Sequence, residues 1–406
     1  MNRRPGPATA RMPEFRLEAY FSRWEFVARH HLTASDAETL TVAELLALGT
    51  DDDREAFEHL PLGYVPTWGT PGLLAAIADT YTTCTPDDVL AFAGADEALF
   101  WAIQLFAGPG DHVVVTVPNY QALETVPLTT GAQVTGVPLR EDADWRLDPD
   151  DVRAALRPDT RLVAVNFPNN PTGAVPDQNT WRELVELCDD RGIRLLSDEV
   201  YRGLELDPTR TLPQAADLSP SAISLNVLSK SYGLPGLRVG WVACHDRAVL
   251  ELLEKHKHYT TICNAGPSEF LGAVALRARE RVHARNRAII AENLPLFDAF
   301  FAGHPDLFAW SPPDGSCVAF PRYLGPDGVE TFCRTLVETE GVLLLPASLY
   351  RSELADVPAD RFRIGVGRRD PAPALAAIER YLERRAGRRP PGRSTREDLA
   401  AWPHDG

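Results

Sequence analysis

Strongly apolar, β-branched runs recur through the middle of the chain, and each is short enough to be a strand buried on both faces. They occupy 111–118, 160–168, 192–200, 222–230 and 238–244. Helical stretches lie between or beside several of them, at 95–107, 179–190 and 247–258. Because strands that alternate with helices build parallel sheets covered by helices, the pattern predicts an α/β fold with a mainly parallel central sheet.

The pattern changes near Gly266, where a long helical region begins and continues to about Phe301. Shorter strands and helices follow it, up to a last helix at 371–385, which indicates a smaller α+β domain. With 406 residues, of which 44% are hydrophobic, the chain is long enough for two cores. The predicted division is an N-terminal segment that packs on the small domain and active site, a large domain, a small domain and a disordered tail, at 1–49, 50–290, 291–386 and 387–406.

The charge balance argues against several classes of partner. A formal net charge of −16 would repel a phosphate backbone, so nucleic-acid binding is not expected and a small-molecule substrate is. No apolar run approaches the roughly 20 residues that cross a bilayer, and the first residues lack a signal peptide's apolar region, so we expect a cytoplasmic protein. The six cysteines are scattered without metal-ligand spacing, so no metal site is expected.

Lysine is scarce, since Lys230, Lys255 and Lys257 are the only lysines among 41 basic residues. Lys230 follows an apolar strand in the stretch S-K-S-Y-G-L-P-G-L-R-V-G, at 229–240. A desolvated amine stays nucleophilic, which suits Schiff-base chemistry, although a lysine at a strand end can also extend to water. Lys255 and Lys257 lie in a polar helix end, and there the second interpretation is expected to hold.

Polar residues follow two other predicted strands. Asp198 and Tyr201 lie in S-D-E-V-Y, and Asn170 lies in N-N-P-T-G. The carboxyl ends of parallel strands form the ligand-binding edge of such sheets, so these side chains are candidates for a shared site. Taken singly, Asp198 also fits a helix cap and Asn170 a turn.

Gly94, Ala95 and Asp96 begin a predicted helix, whose free N–H groups suit a phosphate. Acidic residues in a first turn often serve only the helix dipole. Tyr120 follows another strand, where it can stack on a flat ring or simply pack.

Together these motifs resemble the class I/II aminotransferase family of fold-type I enzymes, which depend on pyridoxal 5′-phosphate (PLP). The similarity covers about 55–370 and is most specific in N-N-P-T-G, S-D-E-V-Y and S-K-x-x-x-x-P-G-x-R-x-G. It implies a fold-type I PLP-dependent transferase that works as a homodimer, with PLP as the cofactor.

The resemblance also implies a role for each matching residue. Lys230 forms the Schiff base and moves protons, Asp198 pairs with the pyridine nitrogen, Tyr201 and Asn170 contact the ring oxygen, and Tyr120 stacks on the ring. The phosphate group is expected to be bound by Gly94, Ala95, Asp96, Ser229, Arg238 and, from the neighbouring subunit, Tyr64. Arg363 matches the arginine that binds the substrate carboxylate, and Asn170 is expected to contact the substrate as well.

Motifs alone leave the reaction open. Transamination is the plainest outcome, and β-elimination with C–S bond cleavage, oxidative decarboxylation or cyclisation in antibiotic-type metabolism is the alternative. The stretch 229–241, with 165–168 and 319–322, is similar to capreomycidine synthase-like enzymes, which favours that alternative. A catalytically silent PLP-binding regulator is a third class, but neither a DNA-binding segment nor a lost lysine supports it.

Aromatic residues recur at helical spacing in the N-terminal stretch 15–26. They either pin the terminus to the small domain or form a lid, in which case Trp24 and either Glu18 or Glu25 contact the substrate. The polar segment 259–264 either approaches the cofactor or only joins two helices.

Overall fold

The structure, a computed structural model, describes residues 12–387. Within this range the helices are α1 (Arg16–Trp24), α2 (Val42–Leu46), α3 (Asp51–Glu58), α4 (Pro71–Ala78), α5 (Ala95–Phe106), α6 (Gln121–Thr130), α7 (Pro149–Ala155), α8 (Gln178–Asp190), α9 (Ala215–Leu218), α10 (Arg247–Lys257), α11 (Gly266–Arg277), α12 (Arg279–Ala302), α13 (Val329–Glu340) and α14 (Ala372–Gly387). The strands are β1 (His30–His31), β2 (Val89–Phe92), β3 (His112–Val117), β4 (Gln133–Pro138), β5 (Thr160–Asn166), β6 (Arg194–Asp198), β7 (Ile223–Val227), β8 (Gly240–Ala243), β9 (Phe308–Ala309), β10 (Val318–Ala319), β11 (Arg322–Tyr323), β12 (Val342–Leu343), β13 (Leu345–Pro346) and β14 (Phe362–Gly365).

Seven of these strands form the central sheet, in the order β2-β8-β7-β6-β5-β3-β4. Strands β3 to β7 run parallel to one another, whereas β8 is antiparallel to both β2 and β7. The predicted α/β fold with a mainly parallel sheet is therefore confirmed. Strand β8 starts at the edge of the sheet where β5, β6 and β7 end. The connection from β7 to β8 therefore lies at the same edge as the connections that follow β5 and β6.

The valine-rich strand β3 illustrates why the sheet needs helices on both faces. Side chains alternate along a strand, so Val113 and Val115 pack with the helices α5 and α6. Val114, which points the other way, packs with Val163 and with Trp181 of α8. All six residues of β3 are buried, as the unbroken apolar run predicts.

A smaller unit follows α12. Its antiparallel sheet has the order β10-β14-β13 and shares a core with α12, α13 and α14, to which Phe297, Phe332, Phe362 and Ile378 contribute. The N-terminal helix α1 lies on this unit, because its buried side chain Phe21 packs in one cluster with Leu343. The exact domain boundaries at 50, 290 and 386 stay predictions.

The long helical region predicted after Gly266 is two helices. The chain leaves helical geometry at Ala278, with φ −95° and ψ 11°, between α11 and α12. Gly387 ends α14, and the rest of the predicted disordered tail, 388–406, lies outside the described residues. Across residues 12–387, none of the helices combines the length and the apolar character needed to cross a bilayer.

Candidate active site

A cavity of about 1250 Å³ lies at the carboxyl edge of the central sheet, beneath helix α1. It brings together residues that are far apart in the sequence. Those of the predicted site residues that line it are Glu18, Ala95, Asp96, Tyr120, Asn170, Asp198, Tyr201, Ser229, Lys230, Arg238 and Arg363.

Lys230 lies in the connection from β7 to β8 and is half-buried. Its amine Nζ donates a hydrogen bond to the Ser35 hydroxyl at 2.9 Å. Ser35 belongs to the segment that follows β1, far from Lys230 in sequence. The amine therefore faces the cavity with a neutral partner, which leaves it able to react.

Asp198 ends β6 and is almost fully buried. Burial, with a smaller contribution from Asp96, raises the pKa of its carboxyl group from 3.8 to about 7, against the opposing effects of the Val200 N–H and Lys230. A cation placed against such a carboxylate would favour its charged form. Asp198 is thus suited to pair with a protonated ring nitrogen.

Arg363 is a buried cation on β14, with only 1% of its surface exposed. It donates from Nη1 to the Asn170 side-chain oxygen at 3.2 Å and from Nη2 to the Thr33 carbonyl at 2.8 Å. Within residues 12–387 no carboxylate lies within ion-pair distance of it. A buried guanidinium whose partners are neutral favours an anionic ligand, and its planar fork suits a carboxylate.

The start of α5 is shaped by two glycines. Gly94 has φ 105°, and a side chain there would collide with the Arg238 guanidinium. A Cβ atom on Gly240 would lie 2.7 Å from the Gly94 carbonyl carbon and 2.9 Å from the Ala95 nitrogen. These close approaches bring Arg238 to the free N–H groups of α5, and both features favour an anion.

Arg238 and Ser229 meet at this end of the cavity, where Arg238 Nη1 donates to the Ser229 hydroxyl at 3.4 Å. Arg238 has no ion-pair partner among the described residues. Asp96, in the first turn of α5, raises the pKa of Asp198, of Tyr120 and of Glu18. Asp96 therefore raises the pKa of the other acidic groups of the cavity. Its carboxylate forms no ion pair with Arg238, so the Arg238 guanidinium is available to a ligand.

Two tyrosines line the middle of the cavity. Burial raises the pKa of Tyr120 and of Tyr201 well above 10, so both hydroxyl groups stay protonated. The Tyr201 hydroxyl is buried and has no hydrogen-bond partner within the described part of the chain. Such a donor is normally satisfied, which indicates that a ligand oxygen completes it. Tyr120 packs against Phe15 of the N-terminal segment, with ring centroids 5.1 Å apart.

The N-terminal helix α1 covers one side of the cavity. Desolvation, followed by Asp96, raises the pKa of Glu18, whose side chain lines the cavity together with Phe21. Trp24 does not line it and instead packs with the α1 cluster that contains Leu17. The structure therefore gives Glu18 access to a ligand and packs Trp24 on the α1 cluster, and the substrate contact of Trp24 stays a prediction.

Tyr64 lies outside the cavity, and 94% of its surface is exposed. This is the placement required of a side chain that serves a second subunit. Segment 259–264 also stays outside the cavity but is tied to α5, because the hydroxyls of Thr260 and Thr261 donate to Glu97.

Lys257 corrects a prediction. The polar sequence around it indicates a side chain that reaches water, yet Lys257 is fully buried. Its Nζ donates to the carbonyls of Thr67 at 2.6 Å and of Ala91 at 2.7 Å. The helix end is polar, but the turn of α10 that carries Lys257 faces the sheet.

Sequence reasoning missed several residues at the cavity. Ser35, Asp36 and His31 also line it, and they lie before the part of the chain that carries the motifs, whereas Glu25, which lines it too, belongs to the lid hypothesis. Asp36 pairs with Arg368 at 2.6 Å, and Glu25 with His31 at 3.5 Å. No local pattern in the segment 28–38 marks it as part of a site.

Comparison with known proteins adds the family. The family model for aminotransferase class I and II matches residues 46–380. The chain belongs to this family. It is 32% identical to the capreomycidine synthase of Streptomyces vinaceus over 401 residues, which cover 95% of this chain and 98% of that protein.

Solved structures of family members have the same fold. A PLP-dependent aminotransferase from Streptococcus suis matches with a TM-score of 0.85 and 30% identity, covering 92% of this chain and 98% of that one. The PLP-dependent cyclase OrfR matches with a TM-score of 0.82 and 27% identity, covering 95% and 99%. The predicted fold type I, the PLP cofactor and the assignment as an enzyme are thus confirmed.

The residues that line the cavity of this chain themselves fit PLP. An unpaired Arg238 and the free N–H groups of α5 suit a phosphate, and the buried Asp198 carboxyl suits a ring nitrogen. The orphan Tyr201 hydroxyl suits an acceptor on the ring, and Lys230 supplies the amine that PLP enzymes bond covalently.

Proposed function

We propose that this chain converts an amino acid by transamination, with Lys230 as the residue that bonds PLP and transfers protons. One observation carries the proposal, namely that a reactive amine and a buried, unpaired guanidinium, Arg363, face the same cavity. The amine suits a covalent bond to PLP at the position where the substrate amino group reacts, and the guanidinium suits the substrate carboxylate.

Bound PLP supplies an electron sink that stabilises negative charge at the substrate α-carbon. The protein's residues arrange the rest. Arg363 binds the carboxylate, and the Lys230 amine accepts and returns the α-proton. Asp198 keeps the ring nitrogen protonated, and Tyr201 and Asn170 orient the ring through its oxygen.

The phosphate would be held by the main chain at Ala95 and Asp96, by Ser229 and by Arg238. Gly94 contributes by having no side chain, because one would displace Arg238. Tyr120 would stack on the ring. These roles follow the family pattern, and the cavity supplies each group at the required edge of the sheet.

The cavity also favours a cationic substrate side chain. Glu18 and Asp96 line it, and neither has an ion-pair partner within residues 12–387. A substrate with a positively charged tail would relieve the repulsion between these acids, which contributes to the raised pKa of Glu18. Neutral amino acids of similar length lack this attraction.

Cyclisation or elimination is the second candidate, because the chain is similar over nearly its whole length to capreomycidine synthase and shares its fold with a PLP-dependent cyclase. Such a reaction would suit antibiotic-type metabolism. It uses the same Lys230, Asp198 and Arg363 and differs only in the steps after the α-proton has been removed.

We infer that the enzyme works as a homodimer. Four large apolar side chains are exposed in the two sequence segments around Tyr64 and Tyr259, namely Leu62 at 85%, Tyr64 at 94%, Tyr259 at 87% and Ile262 at 52%. The two segments meet where Thr67 Oγ1 lies 3.5 Å from His258 Nε2, and grouped exposed apolar side chains are typical of an interaction surface. Sedimentation of the holoenzyme should give twice the chain mass, and a monomer at micromolar concentration would contradict the inference.

A product screen separates the two reactions. The holoenzyme is incubated with arginine, ornithine and lysine, with alanine and leucine as neutral controls, and with a cysteine S-conjugate. Each reaction is run with and without pyruvate or 2-oxoglutarate. Transamination predicts a keto acid in excess of the enzyme concentration only when the acceptor is present. The second candidate would be identified by ammonia, pyruvate, carbon dioxide or a cyclic product that forms without any acceptor. A preference for alanine over arginine would contradict the proposed cationic side chain of the substrate.

A further inference from the structure

The segment from Leu32 to Glu38 crosses the cavity wall between the small unit and the Lys230 connection. It carries Ser35, whose hydroxyl accepts the hydrogen bond from Lys230 Nζ at 2.9 Å. Within residues 12–387, this is the only hydrogen bond that the Lys230 amine makes. Ser35 is half-buried and lines the cavity, so its hydroxyl is next to the reacting atom and within reach of a bound molecule.

The position of Ser35 is held from both sides. The fixed points are Gly365 N to Leu32 O at 3.0 Å, Thr33 Oγ1 to Arg363 O at 3.2 Å, Ala37 N to Lys230 O at 3.1 Å, Glu38 N to Gly367 O at 2.9 Å and the pair Asp36–Arg368 at 2.6 Å. Because main-chain bonds on either side of Ser35 join it to β14 and to the lysine connection, its backbone cannot move away from the amine without breaking several of them.

The same segment also supports the arginine that faces the substrate. Arg363 donates from Nη2 to the Thr33 carbonyl at 2.8 Å, two residues before Ser35. The distance between the amine of Lys230 and the guanidinium of Arg363 is therefore set partly by this short piece of chain. A substrate that binds Arg363 meets an amine that Ser35 already orients.

We propose that Ser35 is a catalytic residue that orients the Lys230 amine for bond formation and proton transfer. A hydroxyl oxygen accepts from one N–H of the amine, so that in the neutral form of the amine the nitrogen lone pair stays available to the cavity. The hydroxyl hydrogen remains free to rotate and donate to a bound molecule. The Tyr201 hydroxyl, which has no partner of its own among the described residues, lies close enough to be influenced by Ser35, since Ser35 is among the groups that lower the pKa of Tyr201.

This inference rests on the proposed role of Lys230, and its test keeps the two apart. Cofactor-free protein is mixed with PLP, and the rise of visible absorbance reports bond formation at the lysine without any substrate. Wild type is compared with Ser35→Ala, Ser35→Gly and Ser35→Thr. Ser22→Ala, on the exposed side of α1, serves as a matched serine control.

The expected result is a rate constant lower by about threefold or more in Ser35→Ala and Ser35→Gly, which is the order expected for loss of one hydrogen bond. Ser35→Thr, which keeps the hydroxyl, should recover most of the rate, and Ser22→Ala should not change it. Thermal unfolding of each variant checks that the fold is intact. Having both Ala and Gly variants keeps the test usable when one of them is unstable.

A smaller decrease, or a decrease that Ser35→Thr does not reverse, overturns the role of Ser35. Lys230→Ala is run alongside, and visible absorbance that persists in it would mean that the lysine assignment itself is wrong. With an amino acid that the product screen identifies, Ser35→Ala should lower kcat more than it raises KM. The α-deuterium isotope effect should grow, because proton transfer by a poorly oriented amine becomes slower.

Discussion

Two lysines are enclosed by this protein in opposite ways. Lys230 is half-buried, faces a cavity of about 1250 Å³ and makes one hydrogen bond, to a side chain that can rotate. Lys257 is fully buried and donates to two main-chain carbonyls, those of Thr67 and Ala91. Enclosure alone therefore does not mark a reactive lysine. The two sites differ in whether the surroundings leave the amine free to exchange partners.

The surroundings of Lys257 also have a fixed structural purpose. Its two acceptors belong to the loop between α3 and α4, which carries Tyr64, and to β2. The ammonium therefore joins this loop to the strand that leads into α5. Burial lowers the pKa of Lys257, whereas Glu97 and Glu269 raise it and thereby favour the charged form. Lys257 thus stabilises the region next to the cofactor site without entering it.

The largest effect that would test this contrast is the loss of covalent cofactor binding. Lys230→Ala should show no visible absorbance from bound PLP, and its turnover should be lower by about a thousandfold or more, because no other lysine of the chain lines the described cavity. Lys255→Ala, at an exposed position of α10, should match wild type in both measurements. If visible absorbance were lost when Lys257 is substituted and kept when Lys230 is substituted, the comparison would be reversed.

Asp198→Asn tests the acidic partner on the Lys230 side. The neutral amide should still allow PLP to bind, but it cannot keep the ring nitrogen protonated, so turnover should fall by about a hundredfold or more. Visible absorbance measures binding, and initial rates measure turnover. Near-normal turnover would mean that Asp198 serves only as a cap for the backbone at Val200, whose N–H donates to its carboxylate at 3.2 Å.

The same carboxyl group should make the stability of the cofactor-free protein depend on pH. Burial raises its pKa from 3.8 to about 7, so the folded state holds the proton more tightly than the unfolded state does. The free energy of unfolding should therefore fall as pH rises from about 4 to about 7, by up to about 4 kcal/mol for this group. Urea unfolding at several pH values measures the slope.

Asp198→Asn should remove its share of that slope and leave the share of Glu199, whose pKa burial also raises to about 7. Saturating PLP should flatten the wild-type slope, since a cationic ring nitrogen favours the charged carboxylate. An identical slope in wild type and Asp198→Asn would contradict the assignment of the raised pKa to Asp198.

Lys257→Met is expected to have the smallest effect on the chemistry. It leaves the carbonyls of Thr67 and Ala91 without their donor, so the free energy of unfolding should fall by about 2 to 3 kcal/mol. Visible absorbance of bound PLP should remain. Urea unfolding of Lys257→Met and Lys255→Met, compared at one pH, isolates the buried position. Loss of the cofactor band from a folded Lys257→Met would show that the two regions are not independent.

The strands and the motif residues could be predicted because both depend on local sequence. The predicted strands at 111–118 and 222–230 contain β3 and β7, and Asp198 and Lys230 reach one cavity because Asp198 ends β6 and Lys230 follows β7 at the same edge of the sheet. The burial of both faces of β3 could be predicted from the alternation of side chains along its valine-rich sequence.

Ser35, Lys257 and Trp24 were beyond such reasoning, each for a physical reason. Ser35 enters the cavity because its neighbours bond to β14 and to the Lys230 connection, both of which are far along the chain from it. Lys257 is buried because one turn of a polar helix end faces β2. Trp24 lies on the face of α1 that packs, and spacing alone does not say which face that is.

The reversed strand β8 also constrains how the protein is made. It is the only neighbour of β2 in the described sheet and pairs Phe92 with Gly240, so nothing in that sheet attaches β2 to the strands that carry Asp198 and Lys230 until β8 has been synthesised. A nascent chain that ends before residue 243 lacks the bridge between its two halves of the phosphate site. Capture of the cofactor therefore belongs to a stage of folding after β8 has been synthesised.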